Sequence, residues 1–525
     1  MLAAIVLGGG FLWATSIFRD NKSTTVDETV YLRGGLEIYW NGSFRVLNEN
    51  GVAPLPILLS YWLPAMTHEP DRRPFNSRFP SMGELGDRAW VGQARLVSSA
   101  VIGLPLVLTV YVWLYRRRGL GVACAGGLLM AASPLMLSHG ALATTDACFA
   151  LTTLLALAAM ARYHERPTTA SLLLMSCASG AVIATKYSGL FILPLAGLTL
   201  LAAHWPRQPG PSRKQAVLAS INGAAVALPF FLSAIYFVIL ISHGFDPTGA
   251  WEGLQFQLAH AEQGHRAYLF GENSTHGWWF YYPVVFAVKS SEAELALLLI
   301  FLGATGWRIR KLDWHRRDFA FVLWLCSMTL YGASVLMSSI SNGPRYLMVL
   351  YALLILAALD SLSLMLAQRP RWLTTVCVTL VAAQLAASAL SAPHWLAYYN
   401  LFVGGPERGH ELLISDNLDW GQDLPGLRVA LEDLHCERVS LIYFGTARFE
   451  DYGIKAHRYR QSRGHFEDYD CLAISENNLH SLFAPYPEFA ALRALEPAGR
   501  AGHSIRIFKP TDPEVAKALG LAPGL

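Results

Sequence analysis

Long apolar runs joined by short polar stretches dominate the first three quarters of the chain. They cover residues 1–18, 95–115, 120–138, 146–161, 169–185, 187–203, 216–241, 292–307, 319–340, 346–366 and 373–391. A helix that crosses a bilayer needs about 20 mostly apolar residues, so this pattern predicts a polytopic α-helical membrane protein with about eleven transmembrane helices. Only Lys186 separates the run ending at 185 from the one starting at 187.

The polar joints set the orientation. Arg116 to Arg118, Arg162 with Arg166, Arg207 with Arg213 and Lys214, the stretch Arg308 to Arg317, and Arg369 with Arg371 share one face if the spans alternate. An excess of Lys and Arg marks the cytoplasmic face. The N-terminus is then cytoplasmic, and segments 19–94, 242–291 and everything after 391 are exterior. With no Lys or Arg before Arg19 and no clear cleavage site, residues 1–18 read as a retained helix rather than a removed signal. Leu55 to Leu63 is too short to span and is expected to lie along the interface. Asp71 to Pro74 and Gly83 to Arg88 read as exterior loop. The cluster Trp278 to Tyr282 reads, by itself, as an interfacial aromatic belt.

The period changes after residue 392. Leu424, Leu427, Leu431 and Leu434 have helical spacing, and 438–444, 470–474 and 504–508 read as strands. Residues 392–525 are therefore expected to form a small α/β domain, periplasmic or extracellular, after a transmembrane domain of residues 1–391. Composition agrees with a membrane chain: of 525 residues 53% are hydrophobic and 15% charged, and the mean hydropathy is +0.33. No basic tract carries interleaved aromatics, which argues against nucleic acid as a partner. The cysteines lack metal-site spacing, and Cys436 and Cys471 could pair if the tail faces an oxidising compartment.

A few charged residues sit where the runs end. Asp27 and Glu28 follow the first run, Asp146 opens the fourth, Lys186 divides two runs, Lys289 precedes the eighth and Arg345 precedes the tenth. Singly, each has a plain explanation: a snorkelling anchor for a base, a solvated pair for Asp27 and Glu28, a helix N-cap for Asp146, a turn for His139. Together they place acids and bases at one depth on the outer side, where charge is costly unless it pairs or functions. Such a set suits transfer of a glycosyl group from a lipid phosphate to a hydroxyl. A carboxylate takes the proton, and cationic side chains stabilise the departing phosphate. A lipid or polysaccharide transporter, which would place ionisable groups nearer the bilayer midplane, and a non-catalytic envelope assembly factor are the alternatives.

Six stretches carry a resemblance: Val26 to Tyr31, Leu142 to Asp146, Ile183 to Tyr187, Gly277 to Pro283 with Lys289, Asn342 to Leu347, and Asp416 to Pro425. In their order and spacing the chain resembles the membrane glycosyltransferases of C-type fold. The branch is the bacterial one related to protein O-mannosyltransferases and the lipid A aminoarabinose transferase. The resemblance implies that Asp27 is the base or acceptor-binding acid, Glu28 its neighbour, and Asp146 the second acidic site. Lys186, Lys289 and Arg345 become ligands of the donor phosphate, and Tyr31, His139, Tyr187 and Tyr346 candidates for substrate binding. It further implies an inverting transfer at the plasma (inner) membrane. The donor is a polyprenyl-phosphate-linked sugar and the acceptor a glycan, lipid or protein. If a divalent ion, magnesium or manganese, is used at all, it would rest on Asp27 and Asp146; no extended Asp-x-Asp stands at the second site. Ser290 and Ser291 follow Lys289 where relatives carry Thr-Pro. The stretch Asp416 to Pro425 has no assigned role.

Overall fold

The computed structural model describes residues 1–68, 87–206, 211–311, 318–459 and 466–521. The loop Asp71 to Pro74, most of Gly83 to Arg88, and the basic residues Arg207, Arg316 and Arg317 lie outside the described residues. Every apolar run becomes helical. Among the described residues, seven helices are long and apolar enough to cross a membrane: Leu2–Asn21, Arg88–Arg118, Thr145–Glu165, Arg213–Ser242, Phe319–Leu336, Pro344–Met365 and Pro370–Ser391. The other expected spans are shorter or more charged, for local reasons. Pro134 divides the third run into Leu120–Ala131 and Pro134–His139, because proline can start a helix but not continue one. Lys186 is extended, which ends Thr169–Thr185 before a 3₁₀ turn leads into Ile192–Ala203. Glu292–Ile309 carries two glutamates in its first turn.

Pro344–Met365 is the hub, with 89% of its most apolar window buried, and Thr145–Glu165 follows at 78%. The exterior segments pack onto the helix ends. Val26–Asn41 rests on two short helices, Leu55–Ser60 and Trp62–Thr67. The stretch Leu55 to Leu63, too short to span, buries one face against the protein. Ile57 and Tyr61 are wholly buried, and the Tyr61 hydroxyl donates to the Ala143 carbonyl at 2.9 Å. The segment is a strut that braces the end of the bundle at which Ala143 lies. A two-stranded hairpin, β1 (Ala267–Leu269) and β2 (Glu272–Ser274), lies in the second long exterior segment.

The C-terminal part holds a five-stranded mixed sheet of β3 (Val439–Ile442), β4 (His457–Arg458), β5 (Cys471–Ser475), β6 (Gly499–Ala501) and β7 (Ile505–Phe508), in the order β4-β3-β5-β7-β6. β3 pairs parallel with β4 and β5, and β7 pairs antiparallel with β5 and β6. Alternate residues of β5 enter opposite cores. Cys471 and Ala473 meet the Leu424–Asp433 helix side through Leu427 and Leu431, while Leu472 and Ile474 meet Phe489 and Phe508. Both faces are thus covered, which is why the central strands are buried throughout. A Cys436–Cys471 disulfide ties the end of that helix to β5. The stretch from Trp395 to Trp420 packs into the helical core, not the sheet.

Candidate active site

Helix starts and breaks bring the charged residues together. Asp27 lies in the first turn of Val26–Asn41, and Asp146 in the first turn of Thr145–Glu165. A carboxylate there is favoured by the positive end of the helix dipole. Thr144, not Asp146, holds the N-cap position, and Asp146 pairs with a base instead. Lys186 reaches its Oδ1 at 2.8 Å.

Arg345, in the 3₁₀ turn Pro344–Leu347 that opens the hub helix, is the centre. Its Nη1 donates to Asp27 Oδ2 at 2.6 Å and lies 3.9 Å from Asp146 Oδ2. Its Nε sits 2.9 Å from Asp416 Oδ2, an ion pair without hydrogen-bond alignment. The guanidinium lies over the Trp420 ring at 4.4 Å, and the Lys186 ammonium over the Tyr346 ring at 3.8 Å. The Tyr31 hydroxyl completes the cluster, 3.5 Å from Asp27 Oδ2. Asp27 is 28% exposed at its side chain, against 3% for Asp146 and Asp416. Asp146 Oδ2, Arg345 Nε, Asp416 Oδ2, Asn342 Oδ1 and His139 Nδ1 are buried without a hydrogen-bond partner. Groups of this kind are rare in folded proteins and ask for a ligand or a function.

Four candidates sit elsewhere. Glu28 turns away from Asp27 to Arg95, whose Nε and Nη2 bond its two oxygens at 2.8 and 2.6 Å. The same carboxylate accepts the N–H groups of Ala143 and Thr25 at 3.1 and 3.0 Å. Burial would raise its pKa, but Arg95 and these donors more than offset that and hold it below the usual range. Lys289 donates to the carbonyls of Leu396 and Asn417 at 3.0 and 2.5 Å. Burial pushes its ammonium well below its usual range, against the pull of Asp416. Tyr187 bonds the His243 ring at 3.3 Å, on the outer side of the Lys186 break. His139 ends the Pro134–His139 helix, buried, with its ring 5.9 Å from that of Trp420.

Among the described residues no group of three or more His, Cys, Asp or Glu is placed to hold a metal ion. Arg345 fills the position between the carboxylates that a shared cation would take. In this arrangement Asp27 and Asp146 do not form the ligand pair expected for a divalent ion.

Residues 88–239 match the family model described as dolichyl-phosphate-mannose-protein mannosyltransferase. Over that segment the chain is similar to the protein O-mannosyltransferases. The resemblance drawn from its motifs is borne out over that segment, which includes Asp146, Lys186 and Tyr187. No curated protein matches the chain. Among solved structures, ArnT from Cupriavidus metallidurans bound to undecaprenyl phosphate aligns over 99% of both chains, at 13% identity and a TM-score of 0.44. The oligosaccharyltransferase AglB from Archaeoglobus fulgidus aligns over 74% of this chain at 12% identity and a TM-score of 0.44, and this chain spans 56% of its length. The S. cerevisiae protein O-mannosyltransferase Pmt1-Pmt2 complex bound to the sugar donor aligns over 48% of this chain and 35% of its own, at 17% identity and a TM-score of 0.32.

Three partners of the cluster are not legible in the sequence. Asp416 and Trp420 reach the cluster from the far end of the chain, within a motif noted but given no role. Arg95 stands at the start of an apolar run, where a lone arginine reads as an anchor; the signal was its position on the outer side, away from the basic face.

Proposed function

We propose that the chain is a polyprenyl-phosphate-dependent glycosyltransferase that works at the outer face of the plasma (inner) membrane, with its C-terminal part on the same side. The observation that carries this reading is Arg345, a cation held among three carboxylates of which one, Asp27, is open to solvent. Asp27 takes the proton of the acceptor hydroxyl as the acceptor oxygen bonds to the anomeric carbon. The bond from that carbon to the phosphate oxygen breaks, with inversion, and the polyprenyl phosphate leaves with both electrons. Arg345 and Lys186 stabilise its charge, so no general acid is required. Tyr31 orients Asp27, and Tyr346 supports both bases. Asp146 keeps Lys186 charged and in place. No step is routed through a metal.

The remaining candidates act from outside the cluster in this reading. Glu28, saturated by Arg95 and backbone donors, is a positioning residue for the turn that presents Asp27. Lys289 fixes the Leu396 and Asn417 carbonyls instead of touching phosphate. His139 and Tyr187 line the flanks. The sugar and the acceptor, whether glycan, lipid or protein, follow from the product. The test compares cell-surface glycans, glycolipids and glycoproteins by mass in cells with the wild-type chain, without it, and with Asp27→Asn. Loss of one sugar-sized increment in the last two, with build-up of a polyprenyl-phosphate sugar, is the expected result. Near-normal product from a folded, membrane-inserted Asp27→Asn chain would sink the assignment of Asp27.

A further inference from the structure

We propose that Asp416 is a positioning residue of this site. It anchors the Nε edge of Arg345 so that the Nη edge can pass from Asp27 to the donor phosphate. The inference rests on the reading of Arg345 as a phosphate ligand. It gives work to the stretch Asp416 to Pro425, which the helical scaffold alone leaves unexplained.

The stretch is built to aim one carboxylate. Ser415 is held at a φ of +60°, a left-handed conformation that non-glycine residues seldom adopt. Its N–H donates to Asn477 at 2.7 Å, so the C-terminal part holds the turn. Asp416 follows, and its Oδ1 accepts the Gly343 N–H at 2.9 Å, two residues before Arg345. A Cβ on Gly343 would stand 3.1 Å from the Asp416 carboxyl carbon, so the Asp416 carboxylate packs closely against the Gly343 backbone. Asn417 is fixed through Lys289 and the Tyr281 hydroxyl, the latter at 2.9 Å. Asp419 accepts the Asn477 N–H at 3.0 Å, and Trp420 lies under the guanidinium. Nothing in this set is free to follow Arg345 if it moves.

The Arg345 fork therefore has two unlike edges. The Nε edge faces a buried, rigid carboxylate. The Nη edge faces Asp27, the exposed one. A phosphate arriving from the membrane competes with Asp27 for Nη. With Nε anchored, the guanidinium stays while its partner changes, and Asp27 is released toward the acceptor hydroxyl. Without the anchor, Arg345 collapses onto Asp27 and both the phosphate ligand and the base are masked.

Charge alone makes the opposite forecast, since removing a carboxylate from an anion site should strengthen phosphate binding. The experiment uses the full chain in lipid nanodiscs, with undecaprenyl phosphate as probe and Asp416→Asn, Asp27→Asn and the double variant. Asp416→Asn is expected to weaken binding about tenfold, as expected when one partner of a buried charge pair is neutralised. The double variant is expected to recover to within about threefold of wild type, because the competing carboxylate is also gone. A merely structural role for Asp416 would not produce that recovery. Unchanged or tighter binding by Asp416→Asn, or a double variant as weak as the single one, would overturn the proposal. If Asp416→Asn does not fold, Asp416→Glu replaces it: about threefold weaker binding is expected from the displaced charge, and wild-type affinity overturns the proposal. A folded wild-type chain that does not bind undecaprenyl phosphate removes the phosphate role itself, and this inference with it.

Discussion

Two charge clusters bracket the hub helix Pro344–Met365, and they are near-inversions of each other. At its outer end one arginine, Arg345, stands among Asp27, Asp146 and Asp416. At its inner end one aspartate, Asp360, stands among Arg117, Arg118 and Arg308. Fifteen residues of helix put them about 22 Å apart. The difference lies in the carboxylate oxygens, since Arg308 Nε beside Asp360 also lacks an aligned partner. The Asp360 oxygens receive four donors, from Arg117 at 2.9 and 3.0 Å, Arg118 at 2.7 Å and Arg308 at 2.6 Å. At the outer end, Asp146 Oδ2, Asp416 Oδ2 and Arg345 Nε have no aligned partner. Similar groups at similar burial thus serve two ends. The Asp360 cluster clamps helices together; the Arg345 cluster keeps one member, Asp27, open to solvent.

The strongest test of this contrast is chemical. Asp27→Asn is expected to cut glycosyl transfer about 10²- to 10⁴-fold, the usual contribution of a general base. Asp360→Asn should leave transfer per folded molecule within about twofold of wild type, since no substrate reaches it. Purified chains, normalised to the folded fraction, decide this. If Asp360→Asn costs as much activity as Asp27→Asn, the two ends are not separate in function.

Stability supplies the converse. Asp360→Ala removes the shared partner of three arginines, of which Arg308 keeps Asp318, and breaking a buried ion pair costs about 3–5 kcal/mol. A clear fall in the thermal midpoint, or loss of the folded chain from membranes, is expected. Arg345→Lys tests the outer end more gently. Lysine keeps the charge but lacks the fork that spans Asp27 and Asp416, so the apparent KM for donor should rise about tenfold. The KM for acceptor should not move; a change confined to acceptor kinetics would show that Arg345 serves the other substrate.

Much of this was readable before any coordinates. Hydrophobic runs give the helices, because an apolar stretch of that length has few other stable environments. Charges at run ends give Asp27, Asp146, Lys186 and Arg345, because charge at that depth is costly unless used. Asp416 was out of reach, since nothing local in Ser415 to Asn417 says that the turn returns to Arg345. Side-chain direction was equally hidden. Asp27 and Glu28 are adjacent, yet successive residues of a helix point about 100° apart. One faces the cluster and the other faces Arg95. Lys289 illustrates the same limit: its position at a helix end was right, but two backbone carbonyls claimed its amine.

The smallest expected effect concerns that adjacent pair and follows from its protonation. Glu28 is an acid whose folded pKa lies below its ordinary value of 4.5. The folded state therefore binds its proton less readily than the unfolded chain. The stabilising contribution is complete above 4.5 and is lost as pH falls through the folded value. Between pH 7 and pH 5 the Glu28–Arg95 pair should change stability hardly at all. The measurement is the difference in thermal midpoint between wild type and Glu28→Gln at pH 7, 5 and 4. Taking the difference removes the effect of Asp416, whose carboxyl burial pushes up. A gap that stays constant from pH 7 to pH 5 and narrows only below 4.5 is expected. A gap already closing at pH 5 would mean that Glu28 is not held ionised by Arg95, and that its place beside Asp27 belongs to the unsaturated, reactive set after all.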